Sequence, residues 1–142
     1  MKQPRYMKDF IRACPSVKHL LEDKPDNAMQ LWGLLYYEFW QTLGRAPLKT
    51  KQILAFCRTS ALPKSHPALR EGVEYAFGEH LLDHPHEFPV LAKYLTSRDL
   101  DAFAIRLIHW NGNSKYSRRR KQLEKMIEAE QSVAQRSGKP RA

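Results

Sequence analysis

The chain has 142 residues, 42% hydrophobic and 27% charged, which is ordinary for a globular protein. Its formal net charge of +9 and sequence pI of about 9.7 are not ordinary. They favour an anionic partner: nucleic acid first, acidic protein second, membrane surface third. The length suits one domain with its own core, and the two cysteines, Cys14 and Cys57, make neither a disulfide framework nor a CxxC metal knuckle.

No period-2 alternation suggests strands, whereas apolar positions recur at helical spacing between Pro, Gly and Ser. Residues 5–13 are expected to form a short helix ended by Pro15, and residues 16–21 one or two further turns. The basic N-terminus is not followed by an apolar run with a small-residue cleavage site, so no secretion signal is expected. Lys24-Pro25-Asp26-Asn27 is a break, and Asp26 or Asn27 can cap the next helix.

Residues 28–43 are expected to be the central helix, because Met29, Leu31, Trp32, Leu34, Leu35, Tyr36, Phe39, Trp40 and Leu43 cover most of its circumference. Its aromatic rings read as core rather than as a base-stacking platform. The stretch is too short to span a bilayer and holds Glu38. Gly44 is the expected C-terminal cap. Residues 47–60 read as a helix with Leu48, Ile53, Leu54, Phe56 and Cys57 inward and Lys51 and Arg58 on one outer face. Both cysteines lie in apolar stretches, as buried thiols do, which suits reducing cytoplasm.

The next helix should be started by Ser65 with Pro67 just inside. It should carry Leu69, Val73, Ala76, Phe77, His80 and Leu81, with Gly72 and Gly78 marking a weak point or close helix contacts. Residues 83–89 read as a loop and 90–95 as a short helix. Ser97 is then expected to cap a helix with Asp99 and Asp101 in its first turn, the apolar stripe Leu100, Phe103, Ala104, Leu107 and Ile108, and a stop at Asn111-Gly112. The last helix should run from Ser114 or Ser117 to about Arg136, followed by a basic tail over 137–142. The expected fold is all-α: six or seven short helices around 28–43, one domain over 1–136.

Charge is unevenly placed. Residues 45–70 carry six cations and no acid, residues 71–113 are net negative, and residues 114–142 carry nine cations against three acids. The densest run is Lys115-Tyr116-Ser117-Arg118-Arg119-Arg120-Lys121, at the expected start of the last helix. A helix N-terminus already carries about +0.5 of a charge, so folding alone would favour acids there. A docked polyanion would offset the misfit. The expected nucleic-acid contacts are therefore Lys115, Arg118, Arg119, Arg120 and Lys121, with Lys49, Lys51, Arg58 and Lys64 as a second anchor. Tyr116, with Trp110, is a stacking candidate. Such contacts go to phosphates and carry little base specificity.

The segment 43–70 looks a little like the entry to a helix-turn-helix, but its connector exceeds the usual three or four residues. His80, His84 and His86 lie among three acids, with His80 and His84 at the i,i+4 spacing of zinc ligands, yet Pro85 should end the helix. A metal-dependent nuclease is the residual enzymatic reading. No Gly-rich phosphate loop, nucleophile motif or placed carboxylate pair is present, so no catalysis and no cofactor are expected.

The preferred expectation is a cytoplasmic, non-catalytic nucleic-acid-binding protein. It would be an accessory factor or a small helical subunit of a nucleoprotein complex, with a protein partner and no membrane. RNA-guided effector complexes are a precedent by size, charge and helicity only. The alternatives are a helix-turn-helix regulator and a protein-binding adaptor or inhibitor that sets a basic face against an acidic partner.

Overall fold

A computed structural model of the chain describes residues 8, 12, 28–78, 80–103 and 114–137. The described residues form six α-helices with short π and 3-10 segments, and no strand is found among them. The fold is all-α, as the spacing predicts. Of the expected helix over 5–13, only Lys8 and Arg12 are described, both helical and exposed. The expected turns over 16–21, Cys14, Trp110 and the tail beyond residue 137 lie outside the described residues. The chain divides into two compact units, Met1–Phe77 and Gly78–Ala142.

In the first unit, α1 spans Ala28–Thr42 and α2 spans Pro47–Ser60. Gly44 has φ of 78°, a left-handed conformation that lets the chain turn sharply between them. Most of the aromatic residues of α1 face the core, with Tyr36 and Trp40 half-buried, whereas Tyr37 is exposed. Trp32 and Phe39 are fully buried. Trp32 lies 5.4 Å from Phe56, and Phe77 meets Trp32, Tyr36 and Phe39 edge-on at 6.0, 5.5 and 5.3 Å. Such tilted and edge-to-face pairs are the favoured aromatic geometry and contribute about 0.5–1.5 kcal/mol each beyond burial. At the α1–α2 corner the buried Thr42 hydroxyl donates to the Phe39 carbonyl at 3.0 Å, and Thr50 Oγ1 lies 3.1 Å from Thr42 Oγ1. Cys57 is a buried thiol on α2. Leu48, expected inward, instead faces solvent.

The third helix departs from expectation twice. Its cap is His66 rather than Ser65: His66 Nδ1 accepts from the Ala68 N–H at 3.0 Å, while the Ser65 hydroxyl turns back to the Thr59 carbonyl at 2.6 Å. Its α-helical part, α3, is only Pro67–Gly72, and Val73–Gly78 continues as a π-helix. Gly72 explains the close packing, because a methyl group there would overlap the indole of Trp32. Only glycine lets α3 lie directly on α1.

In the second unit, 3-10 turns at Leu81–Asp83 and Pro85–Glu87 occupy most of the expected loop. They lead into α4 (Phe88–Leu91), whose turns continue through Leu95, with its N–H donating to the Leu91 carbonyl at 3.0 Å. Next come α5 (Ser97–Phe103) and α6 (Ser114–Ser137). The α5 cap is Thr96, one residue before the expected Ser97. Thr96 N–H donates to Asp99 Oδ2 at 2.8 Å and Asp99 N–H donates to Thr96 Oγ1 at 3.2 Å, a reciprocal capping box. Leu123 and Ile127 bury α6 in the unit's core, where it packs against Leu81–Asp83, α4 and α5.

Candidate nucleic-acid interface

The cationic run falls on the first two turns of α6, and helix geometry separates its members. Successive residues point about 100° apart, so three adjacent arginines cannot share a face. Lys115, Arg118 and Lys121 are exposed, and Lys125 joins them at the next turn. Arg119 and Arg120 are half-buried.

Arg119 and Arg120 are engaged within the second unit. Arg119 Nη1 donates to the Leu82 carbonyl at 3.0 Å, closing the end of the 3-10 turn. Arg120 Nε donates to Glu124 Oε1 at 2.9 Å on its own helix, and its Nη2 donates to Asp101 Oδ1 at 2.5 Å on α5. Tyr116, expected to be a stacking ring, donates its hydroxyl to Asp83 Oδ1 at 3.0 Å. Asp83 Oδ2 lies 3.3 Å from His80 Nδ1, so one carboxylate joins His80 and Tyr116. Lys115 Nζ lies 6.0 Å over the Tyr116 ring.

These contacts change the electrostatic picture. Because α6 begins at Ser114, Lys115 is the cation of the first turn and Arg118–Arg120 fall in the second. The dipole effect fades within one turn, so the misfit expected from the three arginines is smaller than their sequence position implies. Arg119, Arg120 and Tyr116 anchor α6 to Leu82, Asp101 and Asp83. The local acids Asp83, Asp101 and Glu124 each contact one of these anchoring or neighbouring side chains, while Lys115, Arg118, Lys121 and Lys125 point outward. The contiguous run does not include Lys125, although its spacing from Arg118 and Lys121 places it on the same face.

The second expected anchor lies in the first unit, where Lys51, Arg58 and Lys64 are exposed and Lys49 is half-buried. The expected recognition helix of a helix-turn-helix would be α3, where Pro67 and Glu71 are exposed and Arg70 is half-buried. Glu71 would face phosphate with the wrong sign. The zinc spacing of His80 and His84 has no continuous helix to carry it, because the π-helix ends at Gly78 and a 3-10 turn begins at Leu81. Among the described residues, no three His, Cys, Asp or Glu side chains are placed to hold a metal ion, and no helix is long and apolar enough to cross a membrane. Comparison with family models, curated proteins and solved structures found no significant match to this chain.

Proposed function

We propose that the protein binds nucleic acid without catalysis, through phosphate contacts made by the outer face of α6. The reading extends to an accessory factor or small helical subunit of a larger nucleoprotein complex. The observation that carries it is the exposure of Lys115, Arg118, Lys121 and Lys125 on one face of α6. These cations cover about 15 Å of helix axis. Lys and Arg along such a face release counterions condensed on a nucleic acid, the main source of affinity that is independent of sequence. The net charge of +9 adds long-range attraction.

The test is a titration of single-stranded DNA, duplex DNA and RNA at several salt concentrations. The wild type is compared with a variant in which Arg118, Lys121 and Lys125 are replaced by Ala. Wild-type affinity should fall steeply with salt, by a slope of about −0.9 per phosphate contacted on duplex and about −0.7 on single strands. The variant's slope should be flatter by about two to three units. An unchanged slope refutes the assignment of this face.

A further inference from the structure

Helix α2 carries an outer face of a different character. Leu48, Lys51, Ala55, Arg58 and Leu62 recur at alternating three- and four-residue steps. At about 100° per residue they fall within a sector of about 80°. All five are exposed. Leu48 is 72% exposed and Leu62, two residues past the helix end, is 48% exposed. The backbone of the intervening Ala61 is still helical, with φ −78° and ψ −10°. The opposite side buries Thr50, Ile53, Leu54, Phe56, Cys57 and Ser60, so the helix does not need the two outer leucines for its core.

The spacing is a heptad. Leu48, Ala55 and Leu62 take one seam position, and Lys51 and Arg58 take the other. Apolar side chains on both seam positions would describe a self-associating coiled coil. Here the second position is cationic twice, and residues 45–70 contain no Asp or Glu. Two copies pairing in parallel would set Lys51 and Arg58 against themselves, a repulsion that disfavours like partners. A helix with apolar residues on one seam position and acids on the other would cover the leucines, fill the step over Ala55 and match the cationic position in charge. Phosphate backbones would match the charge of this position but leave Leu48 and Leu62 wet.

We propose that this face of α2 is a docking seam for an acidic amphipathic helix of a partner protein. The interaction belongs to the helix-in-groove class, with apolar anchors for affinity and charge for selection. It uses the first unit and is independent of the phosphate contacts proposed for α6.

The probe is a synthetic helical peptide of about three heptads, with Leu at each first seam position, Glu at each second and neutral helix formers elsewhere. Binding to the full chain is followed by fluorescence anisotropy at about 0.1 M salt, where the Debye length is about 10 Å. Saturable binding is expected. Replacing the peptide's Glu residues by Lys should weaken it about tenfold or more. Leu48→Ser with Leu62→Ser should weaken it by about tenfold or more, with an unchanged melting curve because both side chains are exposed. Lys51→Glu with Arg58→Glu should reverse the preference, losing the Glu peptide and gaining the Lys peptide. The Arg118, Lys121 and Lys125 variant should bind the Glu peptide like wild type, which separates this surface from the one on α6.

Equal binding of both peptides, or binding indifferent to the leucine substitutions, overturns the proposal. So does self-association in sedimentation that depends on Leu48 and Leu62, which would assign the face to a second copy. Displacement of the Glu peptide by an oligonucleotide whose own affinity falls with Lys51→Glu and Arg58→Glu would assign the face to nucleic acid and also overturn it.

Discussion

Arg118 and Arg120 are two residues apart, yet their substitution should separate binding from stability. Arg118 is exposed. Arg118→Ala should leave the unfolding free energy within the range of about ±0.5 kcal/mol that exposed substitutions cause, and flatten the salt slope by about one phosphate. Arg120 is 22% exposed and makes two ionic contacts, to Glu124 on its own helix and to Asp101 on α5. Asp101 is 73% exposed, so that pair is screened and contributes about 0.2–1 kcal/mol. The Glu124 pair contributes about 0.3–0.5 kcal/mol, toward the lower end because the cation precedes the acid along the helix. With the loss of the packed arginine stem, Arg120→Ala should cost about 1 kcal/mol. That corresponds to a fall of about 3–6 °C in melting temperature, with a wild-type salt slope. A double-mutant cycle with Asp101→Asn should return a coupling below about 1 kcal/mol. If Arg120→Ala flattens the salt slope as Arg118→Ala does and leaves the melt unmoved, Arg120 is a phosphate ligand and its anchoring role is wrong.

Substitutions at two glycines and at the α5 cap test the packing and the capping. Gly72→Ala should destabilise the protein by about 1–3 kcal/mol or more, because the added methyl overlaps the buried Trp32 indole; denaturant unfolding with tryptophan fluorescence would measure it. Gly33→Ala should do the opposite and stabilise by about 0.5–1 kcal/mol, since Gly33 lies mid-helix with open space where the Cβ would go; an unchanged or lower melting temperature would contradict this. Thr96→Ala should cost about 1 kcal/mol through loss of the α5 cap, read from the melting temperature. Asp99→Ala in the same background should add less than it costs alone, because the two residues share one capping box.

The class of fold and the strongest elements were legible before any coordinates. Helices α1 and α2 end where Gly44 and Ser60 suggest, because propensity, apolar spacing and turn chemistry agree there. Trp32 and Phe39 of α1 were legible as core for the same reason. The last helix was legible too, beginning at Ser114 as one of its two expected starts. Where local signals compete, tertiary contacts made the choice. Ser65 and Ser97 are good caps by type, but His66 and Thr96 hold the N-terminal amides, because a cap depends on where a side-chain atom falls relative to N–H groups two or three residues ahead. The change from α- to π-helix after Gly72 comes where the backbone lies on Trp32, a residue forty positions earlier.

The candidate site divides in the same way. Its location and sign were visible in Lys115–Lys121. Which cations face outward was not, because that depends on where Leu82, Asp83 and Asp101 arrive in space. Charge density is a property of the chain. Accessibility is a property of the packed molecule, because a helix turns each neighbour by about 100° and the core fixes which direction is inward.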